Sequence, residues 1–205
     1  MNRGRRIAKR AFDLALSVPA LVISAPIQAC VAVAVAHKLG RPVLFRQERP
    51  GLHGEPFQLV KFRTMLPVDP AAGRADDSDR MTDFGAWLRS TSLDELPTLW
   101  NIVRGDMSLV GPRPLLMRYL PRYSRQQARR HEVRPGLTGL AQIRGRNALT
   151  WEERLALDVE YVDTHTLLGD LRILMATFLP VLRREGIAAD GEVTMTEFMG
   201  TETPR

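Results

Sequence analysis

The run from Ala11 to Ala36 constrains this chain more than any other stretch. It is apolar except at Asp13, Ser17, Pro19, Ser24, Pro26 and Gln28. At about 1.5 Å per helical residue it is long enough to cross a bilayer core of roughly 30 Å. A signal peptide is a poor fit, because no small-residue cleavage site leads into a polar mature start. A buried core helix is the second alternative, since hydrophobicity all round a helix fits burial in protein as well as in lipid. The flanking charges bear on the choice. Arg3, Arg5, Arg6, Lys9 and Arg10 precede the run, and Lys38, Arg41, Arg46 and Arg49 follow it. A simple span shows an asymmetry of lysine and arginine, whereas here both ends carry the cytoplasmic signature. Pro26 removes a backbone donor near the middle. The expectation is therefore a re-entrant helix, broken near Ser24-Ala25-Pro26, that enters the membrane and returns to the same face.

The rest of the chain has the composition of a folded protein, with 44% hydrophobic and 25% charged residues among 205, so disorder is excluded. A net charge of +6 implies anionic company: nucleic acid, acidic lipid or a phosphorylated substrate. The single cysteine, Cys30, rules out an internal disulfide and fits a reducing compartment. Four scattered histidines without an HExxH or paired CxxC pattern argue against zinc.

Beyond Gly40, Pro42–Phe45 and Phe57–Met65 read as the strands of a hairpin around an Arg49–Gly54 turn, with Lys61 and Arg63 on one face. Leu66–Asp83 reads as a loop, and Phe84–Ser90 and Leu93–Val103 as helices. A further helix is expected over Leu115–Arg130 and a short strand over Leu140–Ile143. Trp151–Tyr161 and Leu167–Arg184 have helical apolar spacing, and the second fits a helix lying in a membrane interface as well as one packed on a partner helix or in a plain core. The polar tail from Ala188 offers Met195, Phe198 and Met199 as docking points.

Two adjacent carboxylates stand out, Asp94 and Glu95 in Arg89-Ser90-Thr91-Ser92-Leu93-Asp94-Glu95-Leu96-Pro97. One carboxylate can attack phosphorus or hold a divalent cation while its neighbour moves a proton. The same residues would also serve as a helix N-terminus, with Ser92 as cap and the two acids in the first turn.

The ordered blocks decide between these. The apolar segment with Pro26 is followed by Arg49-Pro50-Gly51-Leu52, Lys61-Phe62-Arg63-Thr64-Met65 and Ser92-Leu93-Asp94-Glu95-Leu96-Pro97. Then come Gly105-Asp106-Met107-Ser108, Gly111-Pro112-Arg113-Pro114, Arg134-Pro135-Gly136-Leu137-Thr138-Gly139 and Gly145-Arg146-Asn147. From about Lys9 to the tail, this order resembles the bacterial sugar transferases, specifically the monotopic phosphoglycosyl transferases of the small PglC-like type. The resemblance implies an α+β, monotopic membrane enzyme with a re-entrant helix, a small hairpin or sheet and surface amphipathic helices. It divides the chain into residues 1–38 (basic N-terminus and membrane helix), 39–187 (cytoplasmic catalytic domain) and 188–205 (tail). The implied reaction moves a sugar 1-phosphate from a UDP-sugar to undecaprenyl phosphate, releases UMP, and opens glycoconjugate biosynthesis at the cytoplasmic face of the bacterial inner membrane. In it Asp94 is the nucleophile that forms a phosphosugar intermediate and also contacts Mg2+. Glu95 activates the polyprenyl phosphate or completes the site. Lys61, Arg89, Arg113 and Arg146, and more weakly Arg63, contact phosphate and uridine, while Ser24 and Pro26 make the helix break. The family's break is a serine-proline pair; here Ala25 stands before Pro26 and the serine is one position earlier. Similarity to the small enzymes of protein glycosylation points to an N-acetylated amino sugar such as UDP-diNAc-bacillosamine. Membrane lipids and later glycosyltransferases are the implied partners, and oligomeric state is not legible. A nucleic-acid-binding module finds no recognition motif and few aromatics for stacking, at 6% of residues. A non-catalytic membrane scaffold is the remaining alternative.

Overall fold

The computed structural model describes residues 3–145, 149–183 and 197–200. Its first element is α1 (Arg3–Lys38), 36 residues long, whose most apolar stretch has a mean hydropathy of 2.1 and is only 11% buried. Length and composition alone allow it to cross a membrane. The helix continues through Pro19 and Pro26, so the interruption expected at Ser24-Ala25-Pro26 is corrected to an unbroken helix. Each proline removes one donor, but both lie on the exposed side, where the ring has room. The Ser24 hydroxyl donates to the Leu21 carbonyl (3.3 Å) and accepts from Gln28 (3.0 Å), which ties the turn to its neighbours instead of opening it.

The polar residues of the run explain how α1 is seated. Asp13, Ser17, Ser24 and Gln28 follow each other at helical spacing, and the stripe continues as Val31, Val35 and Leu39. All of these positions are buried or half-buried, whereas Val18, Val22, Ile23, Ile27 and Val33 are exposed. So α1 turns its polar stripe inward and its apolar face outward. Near its start, Lys9 pairs with both Asp13 (3.1 Å) and Asp170 (2.9 Å). Asp13 also accepts from the Ser108 hydroxyl (3.0 Å) and the Leu109 amide (3.2 Å). The Tyr161 hydroxyl lies 2.8 Å from Asp170 and 2.9 Å from the Val110 carbonyl. Arg10 donates to the carbonyls of Ile102 (2.6 Å) and Val103 (2.7 Å), tying α1 to the end of the helix over Thr98–Arg104.

Strands β1 (Leu44–Pro50) and β2 (Pro56–Phe62) form an antiparallel hairpin in which Phe45 faces Lys61 and Arg49 faces Phe57. The first strand extends further into the expected turn than the sequence suggested. The expected loop holds one short helix, α2 (Asp77–Arg80), before α3 (Asp83–Ser90). A 3₁₀ turn at Leu93–Glu95 leads into α4 (Thr98–Arg104), so the helix expected from Leu93 is split by Pro97. Strand β3 (Ser108–Val110) pairs in parallel with β4 (Gly136–Thr138). That pairing needs glycine: a Cβ on Gly136 would lie 2.1 Å from the Gly111 nitrogen.

Two expectations are corrected here. Leu115–Arg130 is not one helix but a 3₁₀ stretch (Met117–Arg122), the short α5 (Arg125–Ala128) and a further 3₁₀ turn (Arg129–Glu132). Pro121 ends the first, and Ser124 starts the second with a reciprocal capping box to Gln127. The strand lies at Gly136–Thr138 rather than 140–143, where α6 (Leu140–Arg144) stands instead, and between them Gly139 passes so close to the loop after β3 that a Cβ would lie 2.2 Å from the Gly111 carbonyl oxygen. Helices α7 (Trp151–Thr164) and α8 (Leu167–Arg183) follow as expected. On α8, Asp170 and Ile173 point inward while Leu168, Leu171 and Met175 are exposed. Of the tail, Phe198 is 1% exposed among Tyr119, Tyr123 and Trp151, whereas Met199 is exposed and Met195 lies outside the described residues.

Removing Lys9 leaves two buried carboxylates facing each other without a cation. Lys9→Met is expected to lower stability by about 3–5 kcal/mol, read as a fall of the unfolding midpoint of the detergent-held protein. An unchanged midpoint would show that α1 is seated by its apolar contacts alone.

Candidate active site

The site begins with how α4 is docked on β2. Asn101, 1% exposed, donates its side-chain amide to the Gln58 carbonyl (2.7 Å) and accepts from the Val60 amide (3.1 Å). Its side chain thus acts as a short substitute for a neighbouring strand. Thr98 adds a bond from its hydroxyl to the Val60 carbonyl (2.9 Å). This docking sets the Leu93–Glu95 turn beside the end of β2, one residue pair from Lys61.

The turn itself is strained at Ser92, which takes the left-handed conformation (φ 56°, ψ 15°) that non-glycine residues seldom adopt. Ser92 makes no side-chain cap bond to the turn. The alternative in which the dyad is an ordinary capped helix start therefore fails, since its defining hydrogen bond is missing. The strained turn instead sends the two carboxylates into different surroundings.

Glu95 accepts on one oxygen from both Lys61 and Arg113, the latter at 3.0 Å. Burial alone would push its carboxyl up, but the two cations and their hydrogen bonds outweigh burial and hold it down at about 2. Asp94 is 8% exposed. Burial, and then the charge of Glu95, push its carboxyl up to about 6 against the opposing fields of Lys61, Arg89 and Arg113. One acid is locked as a fixed anion between cations, and its neighbour is left as a buried carboxylate with basic character.

Arg89 comes from the last turn of α3 and donates to the Thr64 hydroxyl (3.1 Å). This approach depends on Gly85, where a Cβ would lie 1.8 Å from the Thr64 carbonyl oxygen. Burial lowers the guanidinium pKa, and the field of Asp94 opposes that shift. Arg113 follows Pro112 on the loop after β3. Its side chain is 43% exposed and faces Glu95. The structure thus brings Asp94, Glu95, Lys61, Arg89 and Arg113 together.

Arg63 is placed elsewhere. It donates to the carbonyls of Leu39 and Arg41 (3.2 Å to the latter), closing the end of α1. The Arg63 amide still bonds the Val43 carbonyl (2.9 Å), but at the margin of the hairpin its side chain meets the end of α1 rather than the dyad. Arg146 lies outside the described residues. Two contributors were not singled out from the sequence. Arg49 was read as part of a turn, yet it is half-buried and donates to the Pro114 carbonyl (3.2 Å) beside Arg113. Arg130 is buried and donates to the Arg113 carbonyl (2.6 Å). Arg49 stood in a quoted motif and Arg130 at the basic end of an expected helix, and neither reveals a partner distant in sequence.

For magnesium, the donor set is one carboxylate, Asp94, buried beside Glu95. Among the described residues no group of three or more acidic, histidine or cysteine side chains converges. Magnesium is commonly held by one or two carboxylates together with substrate phosphates, so Asp94 plus a diphosphate fits it.

A buried carboxylate, a second acid fixed between cations, and arginines on the same side suit the chemistry of phosphate groups, beside a helix long and apolar enough for a membrane. The family model described as bacterial sugar transferase matches residues 4–184, and the chain belongs to that family. It is 50% identical over 196 residues to the uncharacterized sugar transferase EpsL of Bacillus subtilis, covering 95% of this chain and 97% of that protein. It is 42% identical over 184 residues to the UDP-glucose:undecaprenyl-phosphate glucose-1-phosphate transferase of Caulobacter vibrioides, covering 83% of this chain and 68% of that protein. It is 38% identical over 203 residues to the undecaprenyl-phosphate galactose phosphotransferase of Salmonella typhimurium, which covers 90% of this chain but only 42% of that longer protein.

A carboxylate buried at a cost is expected to oppose folding. Asp94→Asn is therefore predicted to stabilise the protein by about 1–3 kcal/mol at pH 7 while abolishing turnover. A variant that unfolds earlier than the wild type would show that the Asp94 charge is compensated in the resting site.

Proposed function

We propose that this chain transfers a sugar 1-phosphate from a UDP-sugar to undecaprenyl phosphate, with Asp94 as the attacking group. The observation that carries this is the division between the two acids, one buried and pushed up to about 6, the other held between Lys61 and Arg113. Family membership and the printed activities of the Caulobacter and Salmonella relatives support the substrate classes. The Asp94 carboxylate attacks the phosphorus that bears the sugar, and the bond to the bridging oxygen breaks. UMP departs, leaving a phosphosugar ester on Asp94. An oxygen of the lipid phosphate then attacks the same phosphorus, Asp94 is released, and the lipid diphosphosugar forms.

Lys61, Arg89 and Arg113 supply the fixed positive charge that both steps need. When bound at Asp94 and the diphosphate, magnesium supplies further neutralisation of phosphate charge. Arg146 is kept as a proposed phosphate or uridine contact by its motif, and Arg63 is set aside in favour of its place at the end of α1. Of the two roles expected for Glu95, completing the site is the one assigned. A carboxyl held at about 2 is a weak proton acceptor at neutral pH. The lipid phosphate loses its second proton near pH 6, as other phosphate monoesters do, and needs no base.

The same proposal places the enzyme in one leaflet, with its site at the cytoplasmic face and lipids against the outer face of α1. Support comes from the seating of α1. Ala20 and Leu21 pack on the same core as Leu59 and Ile102, and Val31, Val35 and Leu39 pack with Phe62 and Leu88. Both halves of the helix thus rest on one body, and a helix crossing the bilayer would carry one end away from it. The proposed helix is therefore continuous and lies along one leaflet with both ends at one face, in place of a helix that enters and turns back. Reporters fused to the two termini are expected on the same, cytoplasmic side in cells. An N-terminal reporter on the opposite side would overturn the topology.

The activity is tested by UMP release from the nanodisc-held protein with undecaprenyl phosphate, magnesium and a panel of UDP-sugars. UDP-glucose and UDP-galactose come first, since relatives are named for these sugars, ahead of UDP-diNAc-bacillosamine. Release from one sugar, lost in Asp94→Asn by a factor of about a thousand or more, is the expected result. Release that survives the substitution would remove Asp94 from the role of nucleophile.

A further inference from the structure

The loop Gly111-Pro112-Arg113-Pro114 carries Arg113, yet its two prolines deprive it of half its backbone donors. Such a loop is held in place chiefly through its carbonyls, and three successive carbonyls each have a donor from a different part of the chain. The Gly136 amide donates to the Pro112 carbonyl (3.0 Å). Arg130 Nη2 donates to the Arg113 carbonyl (2.6 Å), and Arg49 Nη1 to the Pro114 carbonyl (3.2 Å).

Arg130 is the unusual member. Its guanidinium is 2% exposed, and Asp158 on α7, 3% exposed, accepts from both its Nε (3.0 Å) and its Nη2 (2.7 Å) on one oxygen. The ring of Tyr123 lies 5.7 Å below the guanidinium. A buried ion pair contributes little to stability compared with an apolar pair of similar size, because desolvation of both charges offsets their attraction. What it does provide is geometry: a fork fixed in orientation by one carboxylate, with its remaining edge aimed at one backbone oxygen.

We propose that the Arg130–Asp158 pair, assisted by Arg49, is a positioning device for Arg113. It sets the backbone from which the Arg113 guanidinium reaches Glu95 and the phosphates of the nucleotide sugar. Neither Arg130 nor Asp158 is given contact with substrate; both act through Arg113. The inference rests on the proposed role of Arg113 as a phosphate contact.

The test replaces the pair by apolar residues in the full-length, nanodisc-held protein, as Arg130→Met together with Asp158→Leu, so that no buried charge is orphaned. The readouts are the unfolding midpoint, kcat and KM for UMP release, and UDP affinity by calorimetry, which needs no turnover. The expected result is a near-unchanged midpoint with kcat/KM lowered on the order of ten- to a hundredfold, as for a catalytic group displaced by about an ångström. In an Arg113→Ala background the same double substitution is expected to change kcat/KM and UDP affinity less than about twofold, because the group it positions is gone. Full activity in the apolar-pair variant would overturn the proposal, and so would a loss that multiplies undiminished with Arg113→Ala. If the apolar pair does not fold, Arg49→Met, which leaves no buried carboxylate behind, is compared with Arg113→Ala by the same criterion. Arg113→Ala at the wild-type rate and UDP affinity would overturn the device together with the role of Arg113. A wild-type chain silent toward every UDP-sugar would instead sink the proposed function, and the UDP affinities would still decide the coupling.

Discussion

The seating of one lysine between two buried aspartates holds this protein to its long apolar helix. Lys9 and Asp13 stand one turn apart on α1, and through Asp170, Tyr161, Ser108 and Leu109 they reach α8, α7 and β3. A charged network in so apolar a helix would be costly in lipid, where nothing satisfies it. Turned toward the protein, it meets Asp170, Ser108 and the Leu109 amide, which the fold places there. The helix is thus amphipathic in the inverse sense, with its polar stripe on the protein and its apolar face outward. Because β3 leads directly into the Gly111–Pro114 loop, the anchoring of α1 and the placing of Arg113 share a strand.

The site is built on a contrast between adjacent acids. A left-handed residue at Ser92 turns Asp94 and Glu95 into separate environments, one desolvated and one flanked by cations. Like-charged neighbours push their affinities for protons apart, and here the two cations choose which acid goes down. The strain at Ser92, the buried charge of Asp94 and the crowding of arginines all oppose folding locally. The hairpin, the Asn101 docking and the α1 network offset them from outside the site, which is where a catalytic protein can afford rigidity.

Much of this was legible along the chain. The apolar run, the hairpin, α7, α8 and the dyad announce themselves by period, composition or motif. The misreadings have specific causes. Leu115–Arg130 carries helical apolar spacing, but Pro121 and the Ser124 cap divide it, and local chemistry overrode the period. The strand of Gly136–Thr138 looks like a turn because its glycines serve close backbone approach to Gly111, a demand that exists only once β3 lies alongside. Arg63 shares a strand face with Lys61 in the sequence pattern, yet at the margin of the hairpin its guanidinium meets the end of α1. Arg130 and Asp158 gave no signal at all, since an ion pair between residues 28 apart has no local signature.

What the sequence by itself determined is the chemistry available: a membrane-length helix basic at both ends, a pair of acids, and a set of arginines and prolines in a family-like order. Periodicity and motif spacing are properties of nearest neighbours along the chain, so they survive without a structure. Which acid is held between cations, which arginine faces the dyad, and which side of α1 meets the protein were decided only by tertiary structure. Each depends on distances between residues remote in sequence and on burial, and both exist only once the hairpin, α4 and α1 have packed together.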